Sequence, residues 1–312
     1  MSLVWLPVVL QVVVPLALLG WLAFGRHTSH VAWALALVVT ALYLLAIGVA
    51  GIWLDLPWYL PLLYAALVVP AMVITLRFAG PRTAWPSGRW RVAGAVGRGL
   101  AALAVGALAW HALSARRPPA EPVNLAFPLE RGTYLVVNGG GNELVNAHLK
   151  TLTGERFRAY RGQSHGVDLV ELNARGLRAE GIAPRDPEAY MIFGAPVHAP
   201  CGGTVVSAVD GLDDLRPPAT DRNHMAGNHV LLECDSIWVL LGHLQRGSVA
   251  VRAGEQTREG QLVGQVGNTG NTGEPHLHVH AQRPGSADAP FSGAPLPISF
   301  GGRYPVRNAR IR

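Results

Sequence analysis

Apolar residues run almost without interruption through the first third of the chain and then give way to short alternating runs. Four of the apolar stretches reach the roughly 20 residues that a helix needs to cross about 30 Å of hydrocarbon. This pattern predicts an N-terminal α-helical membrane region, residues 1–117, in contact with a lipid bilayer. Its four transmembrane helices are predicted at approximately residues 3–24, 31–54, 58–75 and 92–113.

Arginines in the connecting loops predict which side of the membrane each loop occupies, because loops rich in arginine stay on the cytoplasmic side. The first loop holds Arg26, the second only Asp55, and the third, around residues 77–91, holds four arginines. Arg116 and Arg117 favour the opposite orientation and are outnumbered. The amino terminus and everything after the fourth span are therefore predicted outside a bacterial inner membrane, in the periplasm or the cell exterior.

The pattern changes after residue 117. Residues 118–130 contain four prolines and predict a stiff linker. Residues 131–312 show short β-like runs between Gly, Pro and Asn, which indicate a mainly-β soluble domain with an antiparallel, barrel-like sheet. One short helix is predicted at 142–151. Strands are predicted at 134–137, 166–172, 204–209, 229–233, 237–241, 261–266 and 276–280.

Charge is divided unevenly between these parts. Residues 1–117 carry eight arginines and one acid, while the rest carries eighteen basic and nineteen acidic residues. The net charge of +6 therefore comes from arginines near the ends of the predicted membrane helices. It gives no support for nucleic-acid binding.

Histidines concentrate after residue 130, and three of them alternate at positions 276, 278 and 280. Alternate residues on a strand share a face, so the three side chains can point the same way. Neutral imidazole is a common zinc ligand, and catalytic zinc typically takes three protein ligands and a water. Taken alone, the run is also typical of histidines exposed on a strand surface without a function, or of an adventitious metal site.

An ordered set of further motifs surrounds this run. With them the chain resembles the lysostaphin-type, or LytM-like, zinc endopeptidases, which cleave peptide bonds in peptidoglycan. The resemblance covers roughly residues 131–285 and implies that family's fold. The motifs are GVDL at 166–169, GAPVHAP at 194–200, GGTV at 202–205, GNHV at 227–230, LGHL at 241–244, GQLVGQVGNTG at 260–270 and PHLH at 275–278.

The resemblance implies roles for individual residues. Asp168 resembles the family's carboxylate zinc ligand and His278 its histidine ligand on the last strand. His243 and His276 match the two non-ligand histidines beside the metal, one as general acid and base and the other as a donor to the oxyanion. Which of the two takes which role stays open. His280 is interpreted as supporting the site or lying on the strand surface.

One position departs from the family pattern H-x-x-x-D, since Ser164 stands where a histidine is expected. His165 lies three residues before Asp168, and residues three apart on a strand point to opposite faces. We therefore predict that His148 supplies the third zinc ligand. Two alternatives stay open: a bulge redirects His165 towards the metal, or the site lacks a third protein ligand.

Cys201 and Cys234 flank two predicted strands, at the start of one and the end of the other. Antiparallel pairing of these strands would bring the two cysteines within bridging reach, so a disulfide is predicted. The alternative is a pair of small buried apolar residues.

The sequence thus predicts a membrane-anchored zinc endopeptidase acting on peptidoglycan peptides. Two alternatives are a catalytically degenerate binding or regulatory module of the cell envelope, and a peptidase for envelope proteins.

The orientation has a direct test, because residues 77–91 are predicted to be cytoplasmic. A cysteine introduced at Ser87 should resist a membrane-impermeant thiol reagent in intact cells and react after the cells are opened. Labelling of Ser87→Cys in intact cells would overturn this orientation.

Overall fold

The computed structural model describes residues 5–78 and 80–312 of the chain. Residues 3 and 4 of the first predicted span lie outside the described residues. The chain divides into two compact units. A helical unit comprises residues up to 52 and residues 58–114, and a sheet unit comprises residues 53–57 and 115–312.

The helical unit consists of four long apolar segments. Each is long and apolar enough to cross a membrane. The third contains Pro70, which membrane helices tolerate where neighbours satisfy the freed carbonyl. The fourth begins at Arg89, one turn before the predicted start. The segments are α1 (Trp5–Val8), which runs through a π-helical turn (Val9–Val13) into α2 (Val14–Phe24), then α3 (His30–Ala50), α4 (Leu60–Phe78) and α5 (Arg89–Ser114).

Small side chains and buried hydroxyl groups hold the helical unit together. Ala36 and Ala71 are buried between neighbouring helices, as is common where helices approach closely in membranes. Tyr64 donates to the carbonyl of Gln11 at 2.9 Å, and the hydroxyl of Thr75 contacts the carbonyl of Leu22 on a neighbouring helix. The outward faces carry large apolar side chains, including Leu103, which is 73% exposed.

The sheet unit is built on one antiparallel sheet of nine strands. The strands are β2 (Tyr134–Asn138), β3 (Val167–Glu171), β5 (Gly203–Val209), β6 (Asn228–Cys234), β7 (Ile237–Leu244), β8 (Gln256–Thr257), β10 (Leu277–Gln282), β11 (Pro295–Leu296) and β13 (Arg310–Ile311). Their order in the sheet is β13-β2-β3-β10-β7-β6-β5-β8, and β11 pairs with the end of β10.

The sheet is open. Within the described part of the chain, its end strands β13 and β8 do not pair with each other. The mainly-β antiparallel class is thus confirmed, whereas the barrel-like closure is wrong. β13 and β8 are two residues long, too short to leave a sizeable unpaired edge.

Two small sheets complete the sheet unit. The strand β1 (Val123–Leu125) lies in the segment predicted as a linker and pairs in parallel with β12 (Ile298–Phe300). The strand β4 (Pro196–His198) pairs with β9 (Leu262–Gln265). The predicted helix at 142–151 is formed only in part, as a 3-10 turn (Ala147–Leu149) followed by α6 (Lys150–Thr153). A further 3-10 segment (Glu155–Gln163) precedes β3.

A continuous apolar core fixes the register of the central strands. Leu169, Leu241 and Val279 come from three neighbouring strands and are fully buried in it. Cys201 and Cys234 form a disulfide at its margin, with 6.0 Å between their Cα atoms. The predicted bridge is present because β5 and β6 are antiparallel neighbours. The register places Asp168 of β3 directly opposite His278 of β10.

Candidate metal centre

Two neighbouring strands place a carboxylate and an imidazole side by side in the sheet. Asp168 and His278 face each other across the β3–β10 pair, and the Nδ1 atom of His278 lies 2.8 Å from Oδ1 of Asp168. Asp168 is only 5% exposed. Gly242 lies opposite His278 on its other side.

His148 reaches the same carboxylate from outside the sheet. It lies in the 3-10 turn (Ala147–Leu149), which Asn146 caps by accepting a hydrogen bond from the backbone N–H of His148 at 3.1 Å. The amide of Asn146 also donates to the carbonyl of Gly166 at 3.1 Å and so ties the turn to the start of β3. The Nε2 atom of His148 lies 3.0 Å from Oδ2 of Asp168.

These three side chains could hold a metal ion. One ligand atom from each of His148, Asp168 and His278 lies within 4.8 Å of the other two. Two imidazole nitrogens and one carboxylate oxygen form a donor set that zinc accepts, and three protein ligands leave a position for water or substrate. The donor set therefore fits the zinc ion that the sequence predicts.

The space between the rings depends on Gly166. A Cβ atom at this position would lie 2.7 Å from Cε1 of His278 and 3.3 Å from Cδ2 of His148. It would also lie 2.9 Å from the carbonyl oxygen of Gln163, which is backbone and has little room to move. The glycine that precedes β3 thus allows both imidazoles to approach the carboxylate.

His165 does not join this group among the described residues. Its Nδ1 atom is buried and has no hydrogen-bond partner in the described part of the chain. Ser164 is fully buried, and its hydroxyl lies 2.8 Å from that of Thr151. Thr151 in turn donates to the carbonyl of His148 at 2.7 Å. The Ser164 hydroxyl also lies 2.7 Å from the carbonyl oxygen of Arg161, so its one proton goes either to that carbonyl or to Thr151. The serine therefore contacts the segment that carries His148.

A bulge in β7 directs His243 towards the group. The register of β6 and β7 shifts between Asn228 and Val230, and His243 adopts a positive φ of 63°. Such a backbone is uncommon outside glycine and costs about 1–3 kcal/mol. The Nδ1 atom of His243 lies 2.8 Å from the carbonyl oxygen of Thr269. Because a carbonyl only accepts, Nδ1 carries the proton and Nε2 is left with its lone pair.

His276 lies just before β10, and its ring packs edge-on against that of His243 with 4.8 Å between centroids. Its Nδ1 atom lies 2.9 Å from the carbonyl oxygen of Glu274, which again assigns the proton to Nδ1. Its Nε2 atom lies 3.5 Å from Oδ1 of Asp168. Arg178 holds Glu274 through two hydrogen bonds, of 2.8 and 2.7 Å, and so fixes the backbone that orients His276.

His280 lies behind His278 on the same face of β10. The Nε2 atom of His278 is 3.0 Å from Nδ1 of His280, and the ring of His280 stacks on Phe291. Such a partner on the far nitrogen fixes the ring of a ligand histidine. His278 and His280 thus lie on the same face of the strand, as expected for alternate residues, and His280 lies behind the site.

Burial keeps His243 and His278 neutral at neutral pH. It lowers the pKa of His278 to about 4 and holds the pKa of His243 well below its usual range. Burial acts to raise the pKa of Asp168, but the charges and hydrogen bonds of His148, His276 and His278 outweigh it and hold that pKa well below its usual range. At neutral pH the site thus offers an ionised carboxylate to which His148 and His278 donate hydrogen bonds, and a bound metal ion would replace the protons of those two bonds.

The remaining histidines of the sheet unit have other surroundings. His198 lies on β4, 3.7 Å from Glu130, and His224 is exposed beside Asp221. His229 is buried and contacts the carbonyl oxygen of Gly227. Two residues beside the site, Asn138 and Arg178, escaped the sequence analysis because an Asn or Arg outside any motif carries no signal of its contacts.

Comparison with known proteins supports the resemblance for part of the chain. Residues 189–290 match the model of Peptidase family M23. The matched range contains His243, His276 and His278, and it leaves His148 and Asp168 outside. No curated protein sequence matches the chain.

Several solved structures are similar to part of the chain. The catalytic domain of lysostaphin from Staphylococcus simulans is 23% identical, with a TM-score of 0.26, and the match covers 40% of this chain and 71% of that one. A zinc-containing peptidase from Vibrio cholerae is 22% identical (TM-score 0.31; 55% and 40% covered). Csd3 from Helicobacter pylori is 16% identical (TM-score 0.30; 61% and 35% covered). The chain thus spans less than half of the second and third structures.

The role of Gly166 in the site has a direct test. Gly166→Ala should lower zinc affinity by at least about tenfold, because the added methyl group displaces His278 and His148. Gly202→Ala is a matched control, since a Cβ atom there would find its nearest neighbour at an ordinary 3.7 Å. Zinc affinity of the purified full-length protein is measured by competition with a chromophoric chelator. Equal affinities for the two variants would contradict the steric role of Gly166.

Proposed function

We propose that the protein is a membrane-anchored zinc metalloendopeptidase that hydrolyses peptide bonds in peptidoglycan and so remodels the cell wall. One observation carries the proposal. The side chains of His148, Asp168 and His278 converge on one point. Two further histidines, His243 and His276, pack against each other beside this group. This is the arrangement that metal-assisted hydrolysis requires, with ligands on one side of the reacting group and proton-transferring groups on the other.

His148, Asp168 and His278 would hold the ion. A zinc ion bound there lowers the pKa of a coordinated water towards 7 and polarises the scissile carbonyl. The contribution of the chain is to present the imidazoles of His148 and His278 beside the ionised carboxylate of Asp168. His280 supports this by occupying the Nε2 side of His278, so that Nδ1 is the nitrogen aimed at the site.

His243 and His276 would perform the proton transfers. Both carry the proton on Nδ1, held by the carbonyls of Thr269 and Glu274, and both have Nε2 available on the other side of the ring. An imidazole in this state accepts a proton from the attacking water and then protonates the leaving amine. The neighbouring imidazole would donate to the developing oxyanion from Nε2 after taking up a proton from solvent at that nitrogen.

The substrate and location are part of the same proposal. The M23 match and the family motifs both support a peptidase connected with peptidoglycan. The four apolar helices support anchoring in the inner membrane, as residues 1–117, with the peptidase domain on the periplasmic or extracellular face. A substrate outside the cytoplasm agrees with the disulfide between Cys201 and Cys234, which persists in oxidising compartments.

A non-catalytic envelope module is the competing function, and Ser164 is the observation that favours it. This residue stands where the family pattern places a histidine, and degenerate members lack part of the metal site. Metal content distinguishes the two functions, because a degenerate site should not retain stoichiometric zinc.

The ligand assignment predicts opposite behaviour for two neighbouring histidines. The purified full-length protein, in detergent, should contain about one zinc per chain. His148→Ala should reduce the zinc content to background, because two protein ligands seldom retain zinc. His165→Ala is the matched control and should leave the content unchanged, since its ring lies outside the group. Loss of zinc in His165→Ala and retention in His148→Ala would reverse the assignment.

The activity is tested on purified peptidoglycan with the full-length protein in detergent. Mass spectrometry of the soluble products should show peptides with new amino termini, which a peptidase generates and a glycosidase does not. His276→Ala should retain zinc while its rate falls about 10²- to 10⁴-fold. His198→Ala should match the wild type. A zinc-loaded wild type that leaves peptidoglycan intact would favour the binding module or a protein substrate.

A further inference from the structure

Asn138, at the end of β2, lies beside two of the proposed metal ligands, Asp168 and His148. A bulge in β2 shifts its register against β3 between Val136 and Asn138, which brings Asn138 opposite Asp168. The Nδ2 atom of Asn138 donates to Oδ2 of Asp168 at 2.8 Å. Its Oδ1 atom accepts from the backbone N–H of Ala147 at 3.2 Å. One amide therefore contacts the carboxylate and also the turn that carries His148.

The orientation of this amide is determined by its partners. Oδ1 of Asn138 also accepts from Nη2 of Arg307 at 3.1 Å. A guanidinium and a backbone N–H only donate, so the atom that faces them must be the oxygen. The opposite atom must then be the nitrogen, and its partner, the carboxylate of Asp168, only accepts at neutral pH. Rotating the amide by half a turn would oppose like groups at every contact.

Arg307 belongs to the C-terminal segment between β12 and β13. Its Nε donates to the carbonyl of Val137 and its Nη1 to the carbonyl of Leu144, each at 2.9 Å. The backbone N–H of Arg307 donates to the carbonyl of Gly139 at 3.2 Å. Burial lowers the pKa of Arg307 to about 10, so the cation persists at neutral pH. The planar fork thus spans the end of β2 and the loop that leads to His148.

From this geometry we infer that Asn138 is a positioning residue for the metal centre and that Arg307, from the C-terminal segment, sets the orientation of Asn138. The inference rests on the proposed zinc site and extends it to residues outside the M23 match. The donation from Asn138 fixes the plane of the Asp168 carboxylate, and its acceptance from Ala147 fixes the turn of His148. These two hydrogen bonds thereby fix the distance between Asp168 and His148, two proposed ligands that come from separate segments.

Three variants separate this role from general stability. Asn138→Asp keeps the size of the side chain but replaces the donor to Asp168 with a second carboxylate, and should weaken zinc binding about 10- to 100-fold. Arg307→Met should weaken it about tenfold, because the amide loses the group that orients it. Arg303→Ala, a change at an exposed arginine in the same C-terminal segment, is the control and should bind zinc like the wild type.

A double-mutant cycle tests whether Arg307 affects zinc binding through Asn138. In the background of Asn138→Ala, Arg307→Met should change zinc affinity by less than about twofold, since its effect passes through Asn138. Thermal unfolding of the metal-free proteins is measured alongside, and only variants that unfold cooperatively enter the cycle. Arg307→Lys provides a milder change if Arg307→Met does not fold. The visible spectrum of the cobalt-substituted protein reports altered ligand geometry independently of affinity.

The outcomes are distinguishable from failure of the proposed function. A wild type that does not bind zinc refutes the zinc site itself. A zinc-binding wild type whose affinity Asn138→Asp leaves within twofold refutes the role of Asn138 alone. Independent, additive effects of Asn138→Ala and Arg307→Met on affinity would refute the link between the two residues. An equal loss in Arg303→Ala would refute any specific role for Arg307.

Discussion

The buried carboxylate of Asp168 is the constraint on which the rest of the sheet unit's polar structure depends. Removing a carboxylate from water costs several kcal/mol unless other groups compensate it. Here hydrogen bonds from three segments compensate it: the turn of His148, the strand of His278 and the bulged end of β2 with Asn138. These residues lie 20, 110 and 30 positions from Asp168 in the chain, so satisfying one charge fixes the mutual arrangement of their segments. A metal ion bound by the same atoms would add a further compensating charge.

Neutrality of the imidazoles follows from the same burial. A histidine that is enclosed by the sheet and by other histidines loses its proton readily, which is why the pKa of His278 falls to about 4. The backbone is adapted to place the groups of the site: the bulge in β7 and the positive φ of His243 direct that imidazole, and the bulge in β2 brings Asn138 opposite Asp168. Strain of this kind persists where surrounding contacts over-determine it, as the bonds of His243 to Ala226 and Thr269 do.

Local patterns predicted the parts of this molecule that local physics determines. Long apolar stretches indicated four helices, and β-branched runs indicated the central strands, because periodicity reports burial directly. The strands of two or three residues, such as β1 and β13, form only through tertiary pairing and leave no pattern. Closure of the sheet depends on strand number and tilt, which no short window contains. The contacts of Asn138 with Asp168 and of Arg307 with Asn138 span 30 and 169 residues and could not be inferred from composition or spacing.

The serine at position 164 bears on whether the site is degenerate. In the family pattern the histidine ligand comes from the same segment as the aspartate, four residues before it. Here the hydroxyl of Ser164 contacts Thr151, and Thr151 contacts the carbonyl of His148, so this position supports an imidazole that enters from another segment. That imidazole lies 3.0 Å from Oδ2 of the buried Asp168 carboxylate, where the proposed site needs its third protein ligand. The serine at position 164 therefore fits the relocation of this ligand to His148 that we propose.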